Sequence, residues 1–502
     1  MPGATATPLC NKIIPPPLIS QELRAENTAS NNQNSKIIGG EYIIIFKNQF
    51  ENKISENIGR EVDQLQSSIL SSVAISEDSV LNRYKYAIKG FAAKLSDKQL
   101  KALKNDPRIK SVTPNALFEL AYHTNVVPSF TFSKIDIDKS SFLLNSQTVP
   151  WGITRVGGAQ NGVGKKAWII DTGIDLNHPD LNVDVANSVS FIATESADDQ
   201  HGHGTHVAGI IAAKNNTRNV VGVAAGATVV AIKVCTSAGC PSPALFNGID
   251  YVSNKAAPQD IVNMSIWNTQ GVDNDFDNAV LSAANNGVRL ALIAGNAGAN
   301  ANNYSPGRTN HANIWTVSAF NDQDVFASFS NYGNPPIEYG GPGVDVPSLW
   351  KNGGTNTISG TSMAAPHIAG LLLTVPNDIS IDGYVSGDPD GNADPIAAYT
   401  PLQANITGPT YLNSGEVGTW QANATGGDGN YSYQWYYSSS YSGPWAAAGS
   451  NSSTFSWTFY NNSTSLENRY VKTTVSSGGE QTSVIKSVSI HPAGCAPNEI
   501  QC

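Results

Sequence analysis

From Lys166 onward the chain alternates between two kinds of stretch. Short apolar runs stop at small or polar residues: "AWII" at Asp171-Thr172, "IVNM" at Ser265, "RLALIA" at Gly295-Asn296. Between such runs lie stretches of helical character at 203–213, 242–255 and 273–286. Strands are expected to end near Asp171, Val234, Ile266, Ala294 and Phe320. Alternation of this kind predicts an α/β fold, a mostly parallel sheet with helices on both faces. Such sheets gather functional groups beyond the carboxyl ends of their strands. The polar residues that stop the apolar runs fall there.

The rest of the chain is of other kinds. Its 502 residues exceed a single core, and roughly two to four domains are expected. Residues 1–36 are rich in Pro and Asn and are expected to be disordered. Over 37–122, "EYIIIF" reads as a strand and 52–73 as a polar-faced helix. Two strands are expected in "YKYAIKGFAAKLS", around Lys89-Gly90. A short helix "DKQLKALKND" follows a Ser96 cap, and "IKSVTPNALFEL" is a last strand. The order β-α-β-β-α-β predicts a ferredoxin-like α+β domain. Residues 123–146 read as a linker and 147–399 as the α/β domain. Residues 400–491 hold alternating runs such as "YSYQWYY", "STFSWTF" and "YVKTTVS" between Gly and Asn turns. They predict an all-β, Ig-like sandwich with Trp435 in its core. Residues 492–502 form a tail.

Composition narrows the setting. A net charge of -10 with 14% charged residues argues against nucleic acid or an anionic membrane as partner. No apolar run approaches the ~18 residues of a membrane span. The first twenty residues lack the continuous apolar core of a signal peptide. Either a signal has been removed or the chain stays inside; the neutral, loop-rich composition favours removal and secretion, as a monomer. Of five cysteines, Cys235 and Cys240 form one close pair, and Cys495 and Cys502 another. Two local disulfides in an oxidising compartment are expected, against four buried or reactive thiols. The spacing does not suit zinc-type Cys pairs, and Cys10 is left over.

Several segments carry chemistry, each with a plainer alternative. "DDQHGHGTHVAG" holds His201, His203 and His206, which could serve a metal, supply a general base or start a polar helix. In "TISGTSMAAPHIAG", Ser362 lies between a Gly-Thr turn and an apolar helical run. Backbone N–H groups there suit an oxyanion, or Ser362 is simply an N-cap. Asp171 in "WIIDTGID" can fix an imidazole tautomer or sit in a turn. "GDPDGNAD" places Asp388, Asp390, Asn392 and Asp394 at alternate positions. This partly matches a calcium loop, with Ala393 where that pattern has Gly, or is a solvated acidic turn.

Taken together and in order, "AWIIDTGIDLNHPDL", "HGHGTHVAG", "ALIAGNAG" and "GTSMAAPH" resemble the signature segments of subtilisin-like serine proteases. "VPWGITRVG" resembles the start of a mature enzyme of the proteinase K branch, and 38–122 resembles the inhibitor-type propeptide that precedes such enzymes. The resemblance implies a self-processing secreted endopeptidase in which Asp171 orients, His203 is the general base and Ser362 the nucleophile. It implies Asn296 as an oxyanion donor beside the Ser362 N–H. Ser265, Ile266 and Gly295 would line the path of extended substrate. Trp267 stands where the family usually has a small residue, and would narrow the pocket before the cleaved bond. His206 corresponds to a packing position; His201 is expected at the surface and His367 in a structural role. No cofactor is implied for the chemistry, and structural calcium is a common family trait. Protein or peptide substrates are implied, with the chain's own propeptide as intramolecular inhibitor. Processing is expected between about 120 and 147, either just after Leu120 to Tyr122 or near "LLNSQTVPWG". After "GLLL" the chain turns to "TVPND" instead of continuing into the family's long helices. Two other readings stand beside this one: a binding module with a degenerate protease domain, and a zinc hydrolase built on the histidines.

Overall fold

The computed structural model describes residues 37–47, 55–124, 146–375, 379–427, 429–449, 451–477 and 480–493. The expectations for 1–36, for most of the 123–146 linker, for Cys10 and for the Cys495–Cys502 pair lie outside the described residues.

The alternating region forms the expected parallel sheet. Seven strands run side by side: Thr228–Lys233, Lys166–Asp171, Ile261–Met264, Leu290–Ile293, Ile314–Phe320, Ile337–Pro342 and Pro395–Tyr399. Their apolar runs are continuous because both faces are covered. Ile169 and Ile293 pack with the helices His203–Ala212 and Thr361–Thr374. Their neighbours Ile170 and Leu292 pack with Ser242–Lys255 and Asn274–Asn285 on the other face. These four helices keep their N-termini near the carboxyl ends of the strands, where N–H groups of the first turn, lacking partners within the helix, take partners from outside it.

Two local expectations are corrected. The strand expected to end near Ile266 stops at Met264, and Ile266–Trp267 is a separate short strand paired with Leu120 and Glu119. The strands expected within "YKYAIKGFAAKLS" lie at Val80–Tyr84 and Gly90–Lys94, so 85–89 is a turn. Its cause is remote: the Asp250 carboxylate, on the helix Ser242–Lys255, accepts the N–H groups of Lys85, Tyr86 and Ala87 at 2.9, 2.5 and 2.8 Å.

Residues 37–120 otherwise follow the expected order. The strands Ile37–Phe46, Gly90–Lys94 and Val80–Tyr84 and the strand Ile109–Leu120 form an antiparallel sheet. The helices Ser55–Ser72 and Asp97–Lys104 complete the order. Ser96 caps the second helix in a reciprocal box with Gln99. After Thr374 no helix follows among the described residues. Instead Ile379–Tyr384 pairs with Pro395–Tyr399, which joins the parallel sheet.

Residues 403–491 form two further sheets. One orders Gln403–Thr407, Val417–Thr425 and Thr454–Thr458; the other holds Tyr411–Asn413, Glu480–His491, Glu467–Ser477, Ser432–Ser438 and Ala446–Ala447. They share one core of Trp420, Trp435, Phe455, Val471 and Ile490. Trp435 is buried there as expected, stacked on Phe455 at 5.3 Å. Among the described residues no helix is long and apolar enough to cross a membrane.

Candidate active site

Asp171 ends the strand Lys166–Asp171, and His203 opens the helix His203–Ala212; both are fully buried. The Asp171 carboxylate accepts His203 Nδ1–H at 2.8 and 2.9 Å and the Thr172 N–H at 2.7 Å. With the proton held on Nδ1, the Nε2 lone pair is left free, and Nε2 has no hydrogen-bond partner. The loop before the helix is organised by Asp199. Its carboxylate accepts the N–H groups of His201, Gly202 and Thr205 and the hydroxyls of Thr172 and Thr205. Sequence reasoning missed Asp199, although a carboxylate just ahead of a helix start is a recognisable signal.

Ser362 is the second residue of the helix Thr361–Thr374 and is also fully buried. Its Oγ donates to Ser265 O at 3.2 Å and accepts the Ala121 N–H at 3.1 Å. Its own N–H donates to Ala121 O at 3.2 Å. Gly360, at φ +152°, allows this approach: a Cβ there would stand 2.2 Å from Ala121 O. Asn296 follows the strand Leu290–Ile293. Its Oδ1 accepts the N–H and hydroxyl of Thr361 at 3.0 and 2.7 Å, so its Nδ2 is turned the other way, buried and unpartnered.

The backbone of residues 117–124 runs through this site as an added strand. Phe118 and Leu117 pair with Cys240 and Pro241; Leu120 and Glu119 pair with Ile266 and Trp267. Beyond Ala121, His123 and Thr124 pair with Ser359 and Ile358. The Ala121–Tyr122 peptide bond therefore lies at Ser362. Trp267 packs on Tyr304, with ring centroids 5.2 Å apart, and its ring covers Gly295. At Gly295, with φ +102°, a Cβ would stand 2.7 Å from that ring. The disulfide Cys235–Cys240 spans the edge that pairs with Phe118.

The histidines of "DDQHGHGTHVAG" separate. His206 Nε2 donates to Val346 O and Asn356 O at 3.1 and 3.2 Å, and burial pushes its pKa down to about 3. It is a packing residue. His367 Nδ1 donates to Met363 O at 2.8 Å, with burial lowering its pKa to about 4. His201, expected as a bystander at the surface, is half-buried and bonded to Tyr122. The three histidine side chains thus point at different partners, which removes the basis for a zinc hydrolase.

The residues of the calcium-loop pattern do not share one orientation. Asp394 turns inward and is fully buried, accepting the Ser318 hydroxyl. Asp388 and Asp390 spend an oxygen each on the N–H groups of Asp390 and Asn392. Among the described residues no three His, Cys, Asp or Glu are grouped to hold a metal ion.

Two protein families and several characterised proteases match this chain. The subtilase family (Peptidase_S8) matches residues 164–380, and the peptidase inhibitor I9 family matches 41–121. A thermostable alkaline protease of Halalkalibacterium halodurans is 38% identical, over 56% of this chain and 71% of its own length. The subtilisin-like serine protease AsES of Sarocladium strictum is 34% identical, over 57% and 70%. An extracellular serine proteinase of a Thermus species is 32% identical, over 61% and 70%. Subtilases need no cofactor for catalysis. On these matches the chain belongs to the subtilase family, as a subtilisin-like serine endopeptidase that carries an inhibitor I9 propeptide.

Proposed function

We propose that this chain is a secreted precursor that cuts itself at Ala121–Tyr122 and then hydrolyses other proteins with the same residues. One observation carries the reading: Ala121 O accepts the Ser362 N–H while the chain on both sides of it is paired in β register with the cleft. Pairing of extended chain to an exposed edge is how a protease reads backbone irrespective of sequence. The same tethering makes the first cut intramolecular, with a large gain from proximity.

The steps follow from the atoms present. Ser362 Oγ rotates from Ser265 O towards His203 Nε2, gives up its proton there and attacks the Ala121 carbonyl carbon. The new oxyanion takes hydrogen bonds from the Ser362 N–H and from Asn296 Nδ2. Asp171 stabilises the imidazolium without accepting its proton. His203 then protonates the Tyr122 nitrogen, the C–N bond breaks, and water repeats the cycle on the acyl-enzyme. Ser265, Ile266 and Trp267 hold the acyl-side backbone. Trp267, lying over Gly295, walls the pocket before the cleaved bond and favours small residues there, as Ala121 is.

The division into a propeptide at 37–122, a catalytic domain at 147–399 and an Ig-like module at 400–491 accompanies this reading. Secretion is supported by the Cys235–Cys240 disulfide, which persists in oxidising compartments. The test is to express wild type and Ser362→Ala side by side and measure intact masses. Wild type yields a chain beginning at Tyr122 or later; the variant stays whole. A variant cut at the same place and rate, free of other proteases, would show that Ser362 is not the nucleophile.

A further inference from the structure

The residue after the threaded bond is held by its side chain as well as its backbone. Tyr122 Oη lies 3.0 Å from His201 Nε2, and the two rings meet edge-on with centroids 5.6 Å apart. Tyr122 also packs on the His203 ring at 5.0 Å. His201 is itself fixed. Its N–H donates to Asp199 Oδ1 at 2.9 Å, its ring Nδ1 accepts the His203 N–H at 3.3 Å, and Trp350 backs the ring at 6.3 Å. Because Nδ1 accepts, the proton of the neutral ring sits on Nε2. Nε2–H therefore donates to the phenol oxygen. Burial, and then the neighbouring His203, hold the His201 pKa below the ordinary histidine range, which favours the neutral ring.

We propose that His201 is a specificity residue for the leaving-group side of the cleaved bond, selecting tyrosine there by hydrogen-bonding its phenol. The proposal rests on the reading that Ser362 cuts Ala121–Tyr122. Backbone pairing on that side, at His123 and Thr124, carries no information about side chains. The phenol contact does. Phenylalanine would keep the ring packing and leave the His201 Nε2–H without its partner, a difference of roughly two- to tenfold in rate.

The test uses processed wild-type enzyme and three quenched peptides with Leu-Phe-Glu-Leu-Ala before the bond and Tyr, Phe or Leu after it. The Tyr peptide is expected to exceed the Phe peptide in kcat/KM by roughly two- to tenfold. In His201→Leu that ratio falls to about one, and in His201→Gln, which keeps a side-chain N–H, part of it returns. Precursor carrying Tyr122→Phe should process more slowly than wild type by a similar factor. Equal cutting of the Tyr and Phe peptides by wild type, or a ratio that survives in His201→Leu, overturns the proposal and leaves the protease reading intact. If His201→Leu does not fold, the wild-type ratio and the Tyr122→Phe precursor decide. Wild type that stays whole and cuts none of the peptides overturns the protease reading itself.

Discussion

Residues 109–124 and residues 403–491 are both β-structure, yet they meet the catalytic sheet in opposite ways. The strand Ile109–Leu120 is completed by other segments: Cys240-Pro241 on one side and Ile266-Trp267 on the other. Phe118 is buried against Phe276, with ring centroids 5.0 Å apart. The strands of 403–491 pair only among themselves among the described residues. Their attachment runs through a few bonds at one end: Glu480 accepts the Leu402 N–H at 2.9 Å and the Tyr399 phenol, and Gly427 N–H donates to Thr400 O at 2.7 Å. An edge that borrows its partners from the cleft is a ligand of the cleft. A sheet pair with its own core is a neighbour, able to keep its shape without taking part.

The sharpest probe of that contrast is Asn296→Ala. Its kcat should fall about 10²- to 10³-fold if Nδ2 is an oxyanion donor, and self-processing should slow with it. KM should change little. A near-normal kcat would mean that Nδ2 faces no oxyanion and that the threaded strand is docked rather than poised.

A smaller effect is expected from Trp267→Gly. Opening the wall over Gly295 should raise kcat/KM for Phe or Leu before the bond, relative to Ala, by roughly tenfold or more. An unchanged preference across these substrates would remove Trp267 from the pocket.

The third probe concerns the strand that leads out of the catalytic sheet. Burial, opposed by the Ser318 hydrogen bond and aided by Asp388 and Asp390, raises the pKa of Asp394 to about 7. The fold therefore keeps Asp394 protonated where the unfolded chain has already released its proton. Stability from this group is complete below about pH 4 and is lost as pH rises towards 7, a change of up to a few kcal/mol. Thermal unfolding of the Ser362→Ala precursor should show a falling Tm over that window, and Asp394→Asn should flatten the fall. Glu338, raised from 4.5 to about 8 by burial, adds its own fall across that range, which Asp394→Asn leaves in place, so the variant's fall is shallower but not abolished. Identical profiles would mean that Asp394 is hydrated.

The smallest effect should come from the largest deletion. A chain ended at residue 399 should hydrolyse a short peptide within about twofold of wild type, since none of the bonds at Ser362, His203 or Asn296 reaches beyond it. If that chain folds and is inactive on the peptide, the two regions are not as different as their pairing implies.

Much of the site was legible because it sits where the pattern breaks. Asp171, Ser265 and Asn296 follow runs of apolar residues, and a polar residue at such a place has a restricted set of uses. Ser362 and His203 announce helix starts by the glycines before them. His201 was misjudged because the same local signal fits a solvated residue, and the Tyr122 that occupies it is 79 positions away. The orientation of the acidic residues in "GDPDGNAD" was hidden for the converse reason. Alternating acidic residues look alike whether they face outward or, like Asp394, turn in to meet a serine 76 residues earlier.

The sequence by itself determined the alternation of strands and helices, the faces they bury and the residues left at the strand ends. These follow from periodicities of two and 3.6 residues, which act over a single turn or strand. Only the tertiary structure decided that the Ala121 N–H meets a Ser362 hydroxyl 241 residues away, that Asn296 turns its amide inward, and that Asp250 folds the turn at 85–87. Each of these is a hydrogen bond between groups that no local pattern relates. Their partners are chosen by how the buried faces pack, because a polar group carried into the interior must find a partner where packing has put one.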